Sequence, residues 1–343
     1  MLNNEKLQLV AVDDGYAQTK LYSIDKDGKP LKKVLRSSVR NGRFGVGSIS
    51  GGGFIGLYET EEGPFTVSED VEGENTQFDT FHTSTVNRVL VNHALIEANF
   101  GGQEIDLITG LPVSDYFVNG SKDDSKIAQK KSNLLKTVNS GSSDILMPVI
   151  KNVEVGCQAV AAWVDFAMND KFELRDDIDG AIAIVDIGGR TTDIATVING
   201  EKVDHQRSGT DNTGVLDVYN AITHAIGTKF NIRDKFPLSD IDAAVRSENK
   251  TFKLWGKNQD VSEIIDTVLA EHESKLSRII ERIIGSGASI DKVVFVGGGS
   301  ALFSNLIEKF PHNGETVKDP EFANARGLYK YSIYQKQSQE NEE

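Results

Sequence analysis

With 343 residues, the chain is long enough for two domains of ~150 residues each, and its composition and charge exclude several classes of protein. Its 51 acidic and 37 basic residues give a net charge of −14, which argues against a protein that coats nucleic acid, because phosphate backbones need clustered Lys and Arg. A hydrophobic fraction of 38% with 26% charged residues is ordinary for a folded protein, and the single cysteine, Cys157, excludes an intramolecular disulfide and a cysteine-based zinc site.

The first half of the chain alternates strand-type and helix-type patterns. Strands are predicted at Leu7–Val12, Lys20–Ile24 and Ile105–Leu111, and a helix capped by Ser84 at residues 84–100. The glycine-rich residues 42–56 lack a consistent GxGxxG pattern between a strand and a helix, so they predict a surface loop. The polar residues 119–133 predict a solvated loop or an exposed helix. Because the first six residues lack signal-peptide features and no run of ~18 apolar residues occurs, we expect a cytoplasmic protein without a membrane span.

The second half follows the same alternation. A buried helix is predicted at residues 157–169 and a charged linker at 170–180. Continuous apolar strands at Ala181–Val185 and Val293–Val296 are typical of strands covered on both faces. Further helices are predicted at 262–284, from Ala301 and at 320–335, followed by a disordered tail at 336–343. Strands that alternate with helices indicate an α/β architecture.

A strand, an aspartate and a glycine-containing turn occur twice, about half a chain apart. Asp13 ends the strand within Leu9–Leu21, and Asp186 ends the strand within Ala183–Ile194. Glycine lets the backbone N–H groups of such a turn converge on an anion, so two facing turns would clamp a polyphosphate. Carboxylates cannot bind phosphate directly, so a divalent metal or its waters would lie between them. Either aspartate alone could simply cap a turn, but the matched context favours the functional interpretation.

Two further segments are compatible with the same chemistry. The turn Gly297–Ala301 follows a buried strand and would admit a flat or anionic ligand, although taken alone it is better explained as an ordinary connection. Gln158, at the start of a buried helix, could orient an attacking water in phosphoryl transfer or could face solvent. A Walker A motif is absent, because Gly28-Lys29 and Gly256-Lys257 lack the following Ser or Thr, which disfavours a P-loop enzyme.

Four segments resemble, in this order, the phosphate-1, connect-1, phosphate-2 and adenosine motifs of the actin/Hsp70/sugar-kinase ATPase superfamily. They are Asp13–Lys20, Gln158–Val160, Asp186–Asp193 and Val293–Gly299. Three stretches are also similar to the plasmid-segregation actins of the ParM/StbA type, namely Val12–Gly15, Ile108–Tyr116 and Ile184–Ile194. The resemblance implies an actin-like two-domain fold of duplicated ribonuclease-H-like domains with the nucleotide in the interdomain cleft. The implied boundaries are 1–165 for domain I, 166–319 for domain II, and a helix at 320–335 that packs back onto domain I.

The resemblance also implies a role for each motif residue. Asp13, Asp186 and Gln158 would be catalytic, with the aspartates organising Mg²⁺ largely through water and Gln158 positioning the attacking water. Asp193 falls where actin carries a histidine near the γ-phosphate, and Arg246 and Lys250 are candidates for base contacts. The nucleotide would be ATP, with GTP left open because phosphate contacts are common to both. The residues that would contact it are Gly15, Tyr16, Ala17, Gln18, Lys20, Gly188, Gly189, Arg190, Thr191, Thr192, Gly297, Gly298, Gly299 and Ser300.

The function implied by the resemblance is ATP-dependent assembly into filaments that segregate plasmid DNA, with hydrolysis controlling disassembly. DNA would be contacted through a ParR-type adaptor on the centromere, in agreement with the negative charge of the chain, and neither direct nucleic-acid binding nor membrane contact is expected. The alternatives are a non-plasmid bacterial or phage cytoskeletal actin and a sugar-kinase-type phosphotransferase, for which we find no sugar-site signature. An Hsp70-like chaperone would need a further substrate-binding domain, and a membrane-bound actin would need an amphipathic anchor that the polar ends do not provide.

Overall fold

The computed structural model describes residues 7–44, 56–69, 73–234 and 236–342, with side chains as far as residue 337. Most of the glycine-rich segment 42–56, for which the sequence predicts a loop, lies outside the described residues. Within the described ranges, no helix has the length and apolarity that crossing a membrane requires.

The helices and strands are numbered in chain order. The strands are β1 (Gln8–Asp14), β2 (Gln18–Ile24), β3 (Pro30–Arg36), β4 (Val39–Asn41), β5 (Gly56–Thr60), β6 (Gly63–Val67), β7 (Glu104–Leu111), β8 (Phe117–Val118), β9 (Ser121–Lys122), β10 (Asn139–Ser140), β11 (Val149–Cys157), β12 (Ala181–Ile187), β13 (Thr192–Ile198), β14 (Lys202–Val203), β15 (Gly209–Asp211), β16 (Thr251–Leu254), β17 (Lys257–Asp260), β18 (Lys292–Val296) and β19 (Gly314–Thr316). The α-helices are α1 (Thr85–Glu97), α2 (Val113–Tyr116), α3 (Asp124–Leu134), α4 (Gln158–Ala167), α5 (Val215–Phe230), α6 (Leu238–Arg246), α7 (Ser262–Ile284), α8 (Asn305–Glu308) and α9 (Ala323–Glu342). Short 3₁₀ helices lie at Phe81–Thr83, His205–Arg207 and Pro320–Phe322.

The two large sheets have the same topology. In the first, β3, β2 and β1 are antiparallel neighbours, and β7 and β11 continue the sheet parallel to β1. In the second, β14, β13 and β12 are antiparallel, and β18 and β19 continue parallel to β12. Every residue of β12 is buried, as expected for a strand covered on both faces. The chain therefore contains one α/β unit twice, which confirms the duplicated α/β domain that the repeated motifs predict.

Each unit also contains smaller elements in addition to its large sheet. A four-stranded sheet, in the order β10-β5-β6-β4, is inserted into the first unit. In the second unit, α5, α6 and α7 follow β15, and the β16–β17 hairpin is inserted between α6 and α7. Ser84 caps α1 by accepting a hydrogen bond from the Asn87 N–H, as the sequence predicts.

Helices α4 and α9 connect the two units by crossing each other. Trp163 and Phe166 of α4 pack in the core of the second sheet, whereas Leu328 and Tyr329 of α9 pack on β1 and β2 of the first. At the crossing, a Cβ added to Gly327 would lie 1.8 Å from the Ala161 carbonyl oxygen, so the backbones touch. One of the two helices thus covers each unit, and the helices contact each other. The relative orientation of the two units therefore depends on the positions of α4 and α9.

Three sequence expectations about local structure are wrong or incomplete. The segment 119–133 contains α3, but Lys130 of that helix is fully buried rather than exposed. The helix expected from Ala301 is replaced by turns and the short α8, because Gly299 N–H bonds back to Ile187 and holds the chain against β12. The helix predicted at 320–335 continues to Glu342, where disorder was expected, since residues 335–342 include the good helix formers Gln, Lys and Glu.

Candidate functional site

A cleft of about 580 Å³ lies between the two units, at the ends of β1 and β12. Residues 15–17 of the β1–β2 turn line it, as do Gly188, Gly189 and Thr191 of the β12–β13 turn. The two turns are in contact: a Cβ added to Gly189 would come within 2.5 Å of the Ala17 Cβ atom. One equivalent turn from each sheet therefore meets its counterpart across the cleft, which is the arrangement that the repeated sequence predicts.

Side-chain hydroxyl groups hold the first turn in place by donating hydrogen bonds to its backbone carbonyls. Ser37 Oγ donates to the Gly15 carbonyl at 2.7 Å, and Thr76 Oγ1 donates to the Tyr16 carbonyl at 2.6 Å. The Ser37 N–H also donates to the Ala17 carbonyl. Since these contacts come from the chain itself, they preorganise the backbone of the turn to receive an anion. Neither Ser37 nor Thr76 belongs to a recognisable motif, so sequence reasoning missed them.

Asp13 and Asp186 are the penultimate residues of the equivalent strands β1 and β12, and both carboxylates are buried in the cleft. Each accepts a hydrogen bond from an amide near the start of a crossing helix. Gln158 Nε2 of α4 donates to Asp13 Oδ1 at 3.0 Å, and Asn324 Nδ2 of α9 donates to Asp186 Oδ2 at 2.7 Å. Burial raises the pKa of each aspartate to about 6. Gln158 was identified from the sequence, whereas Asn324 was missed. The duplication provides a signal for it, because Asn324 lies at the start of α9, which follows the second sheet, as Gln158 lies at the start of α4, which follows the first.

The residue opposite each aspartate differs between the two hairpins. Lys20 pairs with Asp13 in the β1–β2 register, and its Nζ lies 3.8 Å from Asp13 Oδ2. The same register in the second sheet places Asp193 opposite Asp186. Lys20 is buried and lines the cleft, so it supplies positive charge beside the two turns from the first hairpin.

Asp193 is held by three donors. The Thr191 and Thr210 hydroxyls and the Val113 N–H all donate to its carboxylate, the last at 3.1 Å. Burial raises the pKa of Asp193 despite these bonds. Because Val113 begins α2 of the first unit, this hydrogen bond joins the second hairpin to the first unit, and Asp193 also lines the cleft.

A buried ion pair lies beneath the first turn. Lys130 Nζ donates to both carboxylate oxygens of Asp14, at 2.9 and 2.7 Å, and Thr109 Oγ1 donates to the same carboxylate at 2.6 Å. Burial alone would raise the pKa of Asp14, but Lys130 and His82 together outweigh it and hold that pKa well below its usual range. His82 lines the cleft nearby, with its Nδ1 atom 3.7 Å from Asp14 Oδ2, and burial lowers its pKa so that the ring is neutral. Sequence reasoning missed Lys130 because its segment is polar throughout.

The third glycine turn follows β18 and closes one wall of the cleft. Gly297 has a φ of +86°, and a Cβ there would lie 2.2 Å from Asp186 Oδ1, so glycine is required. Gly298 and Gly299 line the cleft, whereas Ser300 is buried behind them and donates its hydroxyl to the Gly297 carbonyl.

Asp242 of α6 organises the outer end of the cleft. It accepts from Arg36 Nη2 at 2.8 Å, from Arg246 Nε at 2.7 Å and from the Tyr219 hydroxyl. Since Arg36 belongs to β3 of the first unit, its ion pair with Asp242 spans the cleft. Arg246, a candidate for base contact, lines the cleft, whereas Lys250 does not and pairs with Asp266 instead.

The structure brings most of the predicted site residues together. Those that line the cleft are Asp13, Gly15, Tyr16, Ala17, Gln18, Lys20, Gln158, Asp186, Gly188, Gly189, Thr191, Gly298 and Gly299. Those that lie outside the lining are Arg190, Thr192, Gly297 and Ser300. Arg190 pairs with Asp79 and stacks over the Tyr16 ring, and the Thr192 hydroxyl donates to Thr213.

The donor set at the cleft floor fits a magnesium ion. Among the described residues, no group of three or more His, Cys, Asp or Glu side chains is arranged to hold a metal directly. Burial nevertheless raises the pKa of both Asp13 and Asp186, and the Asp186 charge raises that of Asp13 further, so a nearby cation would favour both ionised carboxylates. Mg²⁺ usually keeps several waters and binds through one or two carboxylates plus substrate phosphates, which matches two carboxylates beside an anion-binding turn.

Comparisons with known proteins agree with this geometry. The model of the N-terminal part of the plasmid segregation protein ParM matches residues 8–168, and that of the C-terminal part of archaeal MreB-like actin homologues matches residues 184–309. The archaeal actin homologue Ta0583 is 20% identical, with a TM-score of 0.76 over 96% of this chain and 100% of its own. An ADP complex of Ta0583 gives 21% identity and a TM-score of 0.74 over 96% and 100% of the two chains.

A ParM subunit in a 15-stranded filament from Clostridium botulinum is 20% identical, with a TM-score of 0.73 over 96% of this chain and 99% of its own. A comparison with curated proteins finds no significant match. The two family models together cover most of the chain, and the solved structures share its whole fold. The chain therefore has the actin-like fold, and its residues 8–168 match the ParM family.

Proposed function

We propose that this protein is an ATP-dependent, filament-forming actin that segregates plasmid DNA through a centromere-bound adaptor, with hydrolysis controlling disassembly. The observation that carries the proposal is the pair of equivalent Asp-and-glycine turns that meet across one cleft, Asp13 to Ala17 and Asp186 to Thr191. A chain of phosphates is a ligand for which two facing anion-binding turns are suited, because each turn can hold one phosphate group.

In this proposal, the phosphates lie between the two turns, with Lys20 adding positive charge from β2. Mg²⁺ would neutralise phosphate charge between Asp13 and Asp186, largely through its waters. Gln158 is buried at the same carboxylate and donates to Asp13 at 3.0 Å, and in this proposal its amide would orient a water for attack on the terminal phosphate. Gly298 and Gly299 would flank the adenosine. GTP remains an alternative to ATP because these residues contact features that both nucleotides share.

Nucleotide binding would act on the relative position of the two units. A ligand held by both turns favours the closed arrangement, in which Arg36 and Asp242 are paired across the cleft. Cleavage of the terminal phosphate removes part of the ligand that joins the turns, so the closed state loses stability. The contact between α4 and α9 at Gly327 would transmit this change, since Gln158 and Asn324 open the two crossing helices.

The DNA would be reached through a partner. A net charge of −14 gives the chain a field that repels phosphate backbones, so a basic, ParR-type adaptor on centromeric DNA would be the direct contact. The match of the N-terminal half to the ParM family supports this role.

The proposal is tested by adding Mg·ATP to the purified protein and following light scattering, pelleting and phosphate release. We expect ATP-dependent assembly, phosphate release that continues in the filament, and slower disassembly with a non-hydrolysable analogue. Phosphate release without assembly at any concentration would refute the filament and leave the ATPase. Turnover that requires a small-molecule acceptor would instead indicate a phosphotransferase.

A second candidate is a cytoskeletal actin unrelated to plasmids, which is favoured by the match of residues 184–309 to archaeal MreB-like homologues. The two functions differ in their partner. Electron microscopy of filaments with and without an adaptor–DNA complex distinguishes them, since a segregation actin should end its filaments on that complex.

A further inference from the structure

The tip of the β16–β17 hairpin carries an exposed tryptophan in an unusual backbone conformation. Trp255 and Gly256 form a two-residue turn in which both φ angles are positive, +49° and +76°. The Trp255 side chain is 72% exposed, whereas Phe252 and Leu254 of β16 are buried and anchor the hairpin. The indole therefore projects from a rigidly anchored turn into solvent.

Turn geometry does not explain the presence of this tryptophan. A two-residue hairpin turn with positive φ at both positions is the type I′ turn, which strongly prefers Asn-Gly or Asp-Gly. A bulky side chain with positive φ is disfavoured, and exposing the large apolar ring of Trp255 gains nothing from burial. The Phe230 ring lies 6.3 Å away, centroid to centroid, and leaves most of the indole uncovered. A tryptophan that fits neither the turn nor the core is typical of an interface residue.

The hairpin lies at one end of the second unit. It directly precedes α7, a helix of 23 residues that spans about 34 Å. Helix α7 ends shortly before β18, and Asp291 there is hydrogen-bonded to Ala181 at the start of β12. Both strands run from that edge towards the cleft, so Trp255 and the starts of β12 and β18 lie at opposite ends of the unit.

The two ends differ in charge. Residues 250–258 around Trp255 contain three lysines and no carboxylate, in a chain whose net charge is −14, and of the three only Lys250 has an ion pair within the described residues, with Asp266. At the opposite end, the loop 169–180 between α4 and β12 contains five carboxylates and two basic residues, and one of the carboxylates, Asp177, is paired with Arg175 and Lys292. Within this loop Leu174 is 51% exposed. One end thus offers an aromatic ring among lysines, and the other offers an apolar side chain among carboxylates.

We propose that Trp255 is a docking residue for a second copy of this chain, and that it is received by the acidic loop 169–180 around Leu174 of that copy. Because the two surfaces differ and lie at opposite ends, the contact is head-to-tail, and such a contact extends into a filament when its rotation does not close. The inference rests on the proposed filament function and identifies one of its contacts. Opposite charges on the two surfaces favour this pairing over tip-to-tip contact of two lysine-rich hairpins.

Tryptophan fluorescence provides a direct measurement. The chain has two tryptophans, and Trp163 is buried, so Trp163→Phe leaves Trp255 as the reporter. We expect its emission to shift to shorter wavelength when Mg·ATP drives assembly, because the indole leaves water. Emission unchanged in filaments that pellet normally would show that the tip stays free, and would overturn the proposal while the filament function stands.

A substitution at the same position separates docking from folding. Trp255→Asn creates the preferred Asn-Gly turn, so the melting temperature should stay the same or rise while the critical concentration for assembly increases about tenfold or more. Leu174→Ala should weaken assembly in the same direction. Leu135→Ala, in the first unit and also 51% exposed, is the matched control and should assemble as wild type does.

The outcomes distinguish the docking role of Trp255 from the filament function on which it rests. Normal assembly of Trp255→Asn refutes the docking role alone. Failure of the wild-type chain to assemble, with nucleotide binding intact, refutes the filament function and the docking contact together. Weaker assembly of Trp255→Asn with unchanged nucleotide affinity supports the contact.

Discussion

Replacing Lys130 by methionine tests the buried ion pair beneath the first turn. The Asp14 carboxylate and the Lys130 ammonium are both inaccessible to solvent, and two hydrogen bonds of 2.9 and 2.7 Å join them. Methionine fills a similar volume but removes the cation, so Asp14 is left charged in the core with only the Thr109 hydroxyl and the neutral His82 nearby. The pair contributes at neutral pH, and its contribution is lost on acidification as Asp14 takes up a proton.

The expected loss is large because the remaining charge cannot reach water. Breaking a buried pair by removing one partner costs about 3–5 kcal/mol, which lowers the folding equilibrium constant by roughly a thousandfold. Urea unfolding followed by far-ultraviolet circular dichroism at neutral pH measures this free energy. Since Asp14 adjoins Asp13 and Gly15, we also expect weaker nucleotide binding by the variant that remains folded.

The same helix supplies the control. Lys126 is one turn earlier in α3 and pairs with Asp115 at 2.8 Å, but both side chains are partly exposed. Lys126→Met should therefore cost no more than about 1 kcal/mol. Adding Asp14→Asn to Lys130→Met should recover much of the lost stability, because the uncompensated charge is removed. A loss below about 1 kcal/mol for Lys130→Met would refute the reasoning.

Four further results are expected. Gln158→Ala should slow phosphate release by about 100-fold or more while a fluorescent ATP analogue still binds, and an unchanged rate would exclude the amide from hydrolysis. Because burial raises the pKa of Asp13 and of Asp186 to about 6, both ionise as the pH rises through this value. Mg²⁺-dependent nucleotide affinity, measured by calorimetry, should therefore increase between about pH 5 and pH 7. Over the same interval, the nucleotide-free protein should lose stability in thermal unfolding, since its folded state holds protons that the unfolded chain has released; a flat profile would contradict these shifts. Gly327→Ala should lower the free energy of unfolding, measured in urea, by about 1–3 kcal/mol, because the added Cβ would collide with the Ala161 carbonyl. If there were no collision, replacing a glycine inside a helix by alanine would instead stabilise the protein by ~1 kcal/mol.

Local patterns in the sequence determined the duplicated hairpins. The buried runs before Asp13 and Asp186 need only their own apolar residues to be identified as strands, and the glycines that follow identify the turns. Gln158 could be found because it opens a helix of clear apolar character. These features were predictable because the physical cause of each, burial of a strand or freedom of a glycine, lies within a few residues of its effect.

Tertiary structure alone decided the partners that come from distant parts of the chain. Lys130 lies in a stretch that is polar in sequence, and it becomes a core residue because Asp14 is brought to it from 116 positions away. Asn324 reaches Asp186, and Arg36 reaches Asp242, only when the two units close on each other. No local pattern marks these residues, since a charge or an amide acquires its role from the group that the fold places opposite it.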